Sequence, residues 1–184
     1  LGLNQESKLV ELRGSMFGGV IHRSLYRFMS GLKPPDLRGL SSWNRLASHR
    51  LLAFLEQELE GLPYRKLLSE DLIWSVQEHF LRSGLQPDDP LRGILRNFLA
   101  HQEKWLRHNQ LEALGEKLDS MSLGRIEFDG GNHVEIVLNG TVDRIDRNAK
   151  GLIAIDYKSG KVPLDRLYRG WGFQLPFYYL LVKN

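Results

Sequence analysis

The sequence predicts a mixed α+β (α/β) fold, and three observations carry that expectation. Apolar residues recur at helical spacing through the first two-thirds of the 184 residues. From 120 to 160 the pattern becomes β-rich, with Asn and Gly at the places where chains turn. The tail, QLPFYYLLVKN, returns to an apolar helical pattern. Helices, strands and then a helix imply a single domain: a first core helix at 15–34, a helical insertion at 35–118, and a sheet with its following helix at 120–184.

Each element has its own signal. In SMFGGVIHRSLYRFMSGL, residues 15 to 32, Ile21, Leu25, Phe28 and Leu32 fall on one stripe, with Gly18, His22, Tyr26 and Met29 beside it. KPPDLRGLSS reads as a loop, and Ser42 suits the cap of a helix running to about Glu60. GLPYRKLLSEDLIWSVQEHFLRSG holds another helix, and a long one is expected from about Leu91 to Leu118. Trp43, Trp74 and Trp105 sit among apolar residues at helical positions and read as core, whereas Trp171 is better placed to meet a substrate. DGGN at 129 to 132 reads as a hairpin turn.

A second hairpin is expected in GTVDRIDRNAKGLIAIDYKSGK, residues 140 to 161, with its turn in the Asn148 to Gly151 stretch. With the turn centred between Ala149 and Lys150, Asp143 stands across from Asp156 and Thr141 across from Lys158. Facing residues share a sheet face at about 5 Å between Cβ atoms, where two carboxylates repel unless a cation lies between them. A slip of one residue would turn one of them to the other face.

Composition narrows the chemistry. There is no cysteine, which excludes disulfides, thiolate zinc sites and an iron–sulfur cluster within these residues. A net charge of +3 permits nucleic acid as a partner without demanding it. No apolar run approaches a membrane span and no signal peptide is evident, so a cytoplasmic setting with no membrane partner is expected. The abrupt ends read as those of a domain within a longer chain. No G-x-x-x-x-G-K-[ST] loop is present, since the GK at 160 to 161 lacks the upstream glycine and the following hydroxyl.

Phosphodiester hydrolysis needs an activated water and a way to hold charge on a leaving oxygen. Divalent metals supply both, and carboxylates hold hard cations such as Mg²⁺ or Mn²⁺. Asp143 and Asp156 are the candidate ligands, and Lys158, two residues on, is placed to orient the attacking group or offset transition-state charge. Arg144 and Arg147 flank the carboxylates. They are suited either to grip phosphates or to neutralise Asp143 and Asp146.

These residues resemble the PD-(D/E)XK nuclease superfamily, and within it the RecB-like branch of RecB, AddA and AddB nuclease domains. The resemblance is carried by G-T-V-D-R-I-D-R at 140 to 147, I-D-Y-K-S-G at 155 to 160, Q-L-P-F-Y at 174 to 178 and G-G-V-I-H at 18 to 22. It covers the first helix and residues 127 to 182, while 35 to 118 matches no motif. It implies a restriction-endonuclease-like core, a central sheet flanked by helices. It further implies Asp143, Asp156 and Lys158 as the catalytic residues and His22, Asp143, Asp156, the Tyr157 carbonyl and Glu127 as metal ligands, with Glu135 second to Glu127. Gln174 and Tyr178 would contact DNA or brace the site, with Arg144 a further substrate contact. The implied activity is metal-dependent DNA cleavage, of exonuclease type on single-stranded ends, in repair and alongside a helicase subunit or domain. Members with an iron–sulfur cluster carry four cysteines that this chain lacks, so it looks closer to cluster-free members.

Other readings of the same residues exist. Asp156 and Lys158 can form a plain surface salt bridge, and His22 alone can be a core or surface histidine. His49, His79, His101, His108 and His133 show no metal-ligand spacing and read as structural. A nuclease fold without catalysis would serve as a DNA-binding or scaffolding domain, and the helical region 35–118 would suit a protein-interaction module.

Overall fold

The computed structural model describes residues 2–32, 43–63, 65–86, 89, 91, 93–109, 113–127 and 133–158. The chain divides into two compact units, Leu1–Leu111 and Glu112–Asn184. The first holds helices and the second an antiparallel sheet, so the mixed α/β class expected from the sequence is observed.

In the helical unit, α1 spans Gly2–Ser30, α2 Trp43–Glu60, α3 Arg65–Ser69, α4 Leu72–Arg82 and α5 Ile94–Asn109. The stripe predicted on α1 is the buried one: Ile21, Leu25 and Phe28, continued by Leu32 after the helix, lie in the core, and so does Met29 beside it. It packs against α2, whose Ala47, Leu51, Leu55 and Leu59 recur every four residues and are also buried. α2 ends at Glu60 as the sequence predicts, whereas the expected cap Ser42 lies outside the described residues. α1 begins well before the predicted Ser15, so Glu6 and Lys8 belong to a helix.

The single helix expected between Gly61 and Gly84 is two, α3 and α4, because Asp71 starts a new one. Its backbone is extended and its side chain accepts the Trp74 N–H at 2.9 Å, satisfying one of the N–H groups that a helix start leaves without a partner. Trp74 is fully buried, as expected of a core residue.

The long helix expected to reach Leu118 stops at Asn109, and residues from Ala113 onward form a strand. Gly115 explains part of the difference, since a glycine inside a helix costs about 1 kcal/mol relative to alanine. In the second unit, β1 (Ala113–Glu127), β2 (His133–Asn148) and β3 (Gly151–Ile155) form a sheet in that order, antiparallel throughout. β1 and β2 pair from Glu127↔His133 to Ala113↔Arg147, with register shifts along the way. DGGN itself lies outside the described residues, but the strands on either side of it pair as a hairpin requires.

The β2–β3 register is the one the sequence predicts. Arg144 pairs with Ile155, Ile145 with Ala154 and Asn148 with Gly151. The turn is held by the Asn148 side chain, which accepts the Lys150 N–H at 2.9 Å, and by Gly151 at φ 137°, where a side chain is strained.

Candidate active site

β3 ends at Ile155, so Asp156, Tyr157 and Lys158 lie just past the ladder and not within the strand the sequence suggested. Beyond the last pair, Arg144↔Ile155, a side-chain contact takes over from strand pairing: the Tyr157 N–H donates to Asp143 Oδ2 at 2.8 Å. That bond holds residues 156–158 beside Asp143 at the end of the hairpin. Asp143 and Asp156 are both half-buried. Lys158 Nζ lies 2.5 Å from Asp156 Oδ2, with the lysine side chain 45% exposed and the aspartate 11%.

The face behind them is dry. Arg144 and Asp146, two apart on β2 and therefore on one side of it, are buried at 1% and 0% side-chain exposure. The guanidinium meets the carboxylate as a fork: Nε donates to Oδ1 at 2.5 Å and Nη2 donates to Oδ2. Arg144 Nη1 also donates to the Tyr157 hydroxyl at 3.3 Å. Burial opposes the arginine's charge most strongly, but the hydrogen bonds and charges of Asp146 and Tyr157 together outweigh it and hold the guanidinium pKa above its ordinary value. Burial pushes the Tyr157 phenol up.

Arg144, offered as a phosphate grip, is buried in the fork with Asp146, so the neutralising alternative is the one the structure supports. Arg147, of opposite parity to Arg144, is exposed.

Glu127 lies toward the other end of the hairpin from Asp143. It pairs with His133, ten positions along β2 from Asp143, roughly 33 Å at ~3.3 Å per residue. Glu127 stands close to Asp143 in sequence, but antiparallel pairing sends the end of β1 nearest the turn to the far end of the hairpin. Glu135 pairs with Arg125 and is likewise remote. The β1 carboxylate residues whose backbones lie near Asp143 are Glu116, paired with Ile145, and Asp119, next to the Leu118↔Val142 pair. The only signal that could have found them is the full β1–β2 register, which depends on shifts the sequence does not mark.

His22 lies in the helical unit on α1, half-buried, next to buried Ile21. His49, His79, His101, His108 and His133 are exposed. Gln174, Tyr178 and Trp171 lie outside the described residues. Among the described residues no three or more His, Asp or Glu side chains gather as a metal-binding group. The donors at the hairpin end are thus two aspartates and the backbone of Tyr157. That chemistry fits Mg²⁺, which is held by one or two carboxylates and keeps several waters, better than a metal that demands a full cage of protein ligands.

Among the described residues no helix is long and apolar enough to cross a membrane. The family model described as the PD-(D/E)XK nuclease superfamily matches residues 1–184. Neither the comparison with curated proteins nor that with solved structures returns a match.

Proposed function

Since the chain belongs to the PD-(D/E)XK nuclease superfamily, whose members are typically metal-dependent nucleases, we propose that it hydrolyses phosphodiester bonds of DNA with Asp143, Asp156 and Lys158 as its catalytic residues. The observation that carries this assignment is the hydrogen bond from the Tyr157 N–H to Asp143, which brings the two halves of the motif together at one end of a rigid hairpin. A divalent metal, Mg²⁺ or Mn²⁺, supplies an acidified water and offsets charge on the phosphate when bound. Asp143, Asp156 and the Tyr157 carbonyl are the groups that would hold it. The Tyr157 N–H takes one of about four lone-pair sites on the Asp143 carboxylate, which orients that group while keeping it an oxygen donor.

Lys158 has a separate task. Its side chain is half-exposed and its ammonium is tethered to Asp156, which fixes the charge at a defined place. From there it donates to a phosphate oxygen and offsets the negative charge that grows as the bond to the leaving oxygen breaks. The resemblance adds His22 as a ligand and Gln174 and Tyr178 as substrate contacts. It also supports the finer reading of a RecB-like exonuclease that acts on single-stranded ends in repair, with a helicase partner. The register of β1 brings Glu116 and Asp119 nearer to Asp143 than Glu127, which supports either of them as the additional carboxylate.

End-labelled single- and double-stranded DNA, incubated with Mg²⁺, Mn²⁺ or EDTA, tests the reading. Cleavage is expected with metal only, lost in Asp156→Ala and reduced at least about 10²-fold in Lys158→Ala. Either Glu116→Gln or Asp119→Asn, together with His22→Ala, is expected to slow it and Glu127→Gln to leave it unchanged. Absent cleavage by the native chain, together with salt-sensitive DNA binding that survives Asp156→Ala, would instead support a DNA-binding domain without catalysis.

A further inference from the structure

We propose that Arg144, Asp146 and Tyr157 form a positioning frame that holds residues 156–158 against Asp143; the frame is defined by geometry alone, and its catalytic consequence rests on the nuclease reading. The backbone ladder gives out at Arg144↔Ile155, so the segment that carries Asp156 and Lys158 is not fixed by strand pairing. Side-chain bonds replace the ladder there, and two of them converge on Tyr157. Its N–H is taken by Asp143 in front, and its hydroxyl is taken by Arg144 behind. Arg144 in turn cannot swing, because Asp146 grips its other two nitrogens within a fully buried pocket.

Each part has the property a frame needs. A bidentate guanidinium–carboxylate fork fixes orientation as well as distance. A buried and satisfied polar network resists rearrangement, since any broken member is left without water. Tyr157 carries the constraint through a rigid ring to its own backbone, the same peptide unit whose neighbours bear Asp156 and Lys158. Misplacement of about 1 Å at a reacting group can cost a factor of about 10² in rate, so a frame of this kind acts on turnover without touching substrate.

The test uses two variants of the full chain. Tyr157→Phe removes one hydroxyl and keeps the ring. The double replacement Arg144→Met with Asp146→Leu removes the fork but leaves the pocket filled with apolar side chains, which preserves or raises stability in comparable buried pairs. Hydrogen exchange at the amide of position 157 reads the frame with neither metal nor DNA. We expect exchange there to speed up about tenfold in Tyr157→Phe and more in the double variant, with global melting little changed. Mn²⁺ affinity should weaken, and kcat should fall while KM for DNA holds.

Unchanged exchange at position 157 in both variants overturns the frame, whatever the activity. Faster exchange with native kcat and native Mn²⁺ affinity overturns its role in positioning the catalytic groups. If the native chain neither binds Mn²⁺ nor cleaves DNA but exchange still quickens in Tyr157→Phe, the nuclease reading fails and the frame stands as the clamp of the hairpin end.

Discussion

Two charged clusters, one in each unit, solve the same problem differently. In the helical unit Glu78 is buried and receives Arg65 at 2.6 and 2.8 Å, the Trp74 indole N–H at 2.9 Å and Arg82. Arg82 passes on to Glu56 of α2 as a second fork at 2.7 and 2.8 Å. This network ties α2, α3 and α4 together, and its arginines keep about a third of their side-chain surface in water. On the hairpin, Arg144 and Asp146 come from one strand, are wholly dry, and lead to Tyr157 and the candidate site. A wet-rimmed network across three elements shares its charge among many partners. A dry pair within one strand has no water to fall back on, which makes it rigid and intolerant.

The difference predicts an order of effects, with the hairpin first. Asp146→Ala leaves the Arg144 guanidinium buried opposite a hole and is expected to cost about 3–5 kcal/mol in urea denaturation. Glu78→Gln keeps the shape and several hydrogen bonds, so about 2 kcal/mol is expected. A larger loss from Glu78→Gln than from Asp146→Ala would break the comparison.

Glu78 also predicts a dependence on pH. Burial raises its carboxyl, but the hydrogen bonds and charges of Arg65 and Arg82 outweigh burial and hold it below its ordinary value. A depressed folded value means that stability from this group is complete above the unfolded carboxyl value of about 4.3 and is lost as pH falls through the lower folded one. The gap between native and Glu78→Gln stability should therefore be constant from neutral pH down to about 5 and close on further acidification. A gap that widened in acid would show that the arginines do not dominate.

The register of the β2–β3 hairpin was legible because Asn148 and Gly151 fix the turn by local chemistry, and Gly151 does take the positive φ that such turns use. On that ground Gly151→Ala is expected to cost about 1–2 kcal/mol, no more than Glu78→Gln, although open space surrounds the glycine. Equal melting of native protein and Gly151→Ala would move the control of register from the turn to the strands.

The segment beyond the turn was less legible. The end of β3 at Ile155 follows from Asp143, whose side chain takes the Tyr157 N–H that a ladder would otherwise use, and such competition between side chain and strand leaves no periodic trace. Arg144 and Arg147 look alike in sequence, and parity puts them on opposite faces, but only packing decides which face is dry. The distance of Glu127 from Asp143 was not legible because antiparallel pairing reverses nearness in sequence, and the approach of Glu116 and Asp119 was hidden behind register shifts in β1. The helical stripe of α1 was plain in the sequence since its period alone fixes the buried face.

The smallest predicted effect probes how the helical network reaches the start of its own helix. Trp74 is held at both ends, its backbone N–H by Asp71 and its indole N–H by Glu78. Asp71→Ala alone should cost about 1 kcal/mol, the usual worth of an N-cap. If one buried ring transmits strain between cap and network, the double variant Asp71→Ala with Glu78→Gln should depart from the sum of the single losses by at least about 0.5 kcal/mol. Additivity within that margin would mean that Trp74 serves two independent partners. The network would then stabilise the packing of α2, α3 and α4 without helping α4 to begin.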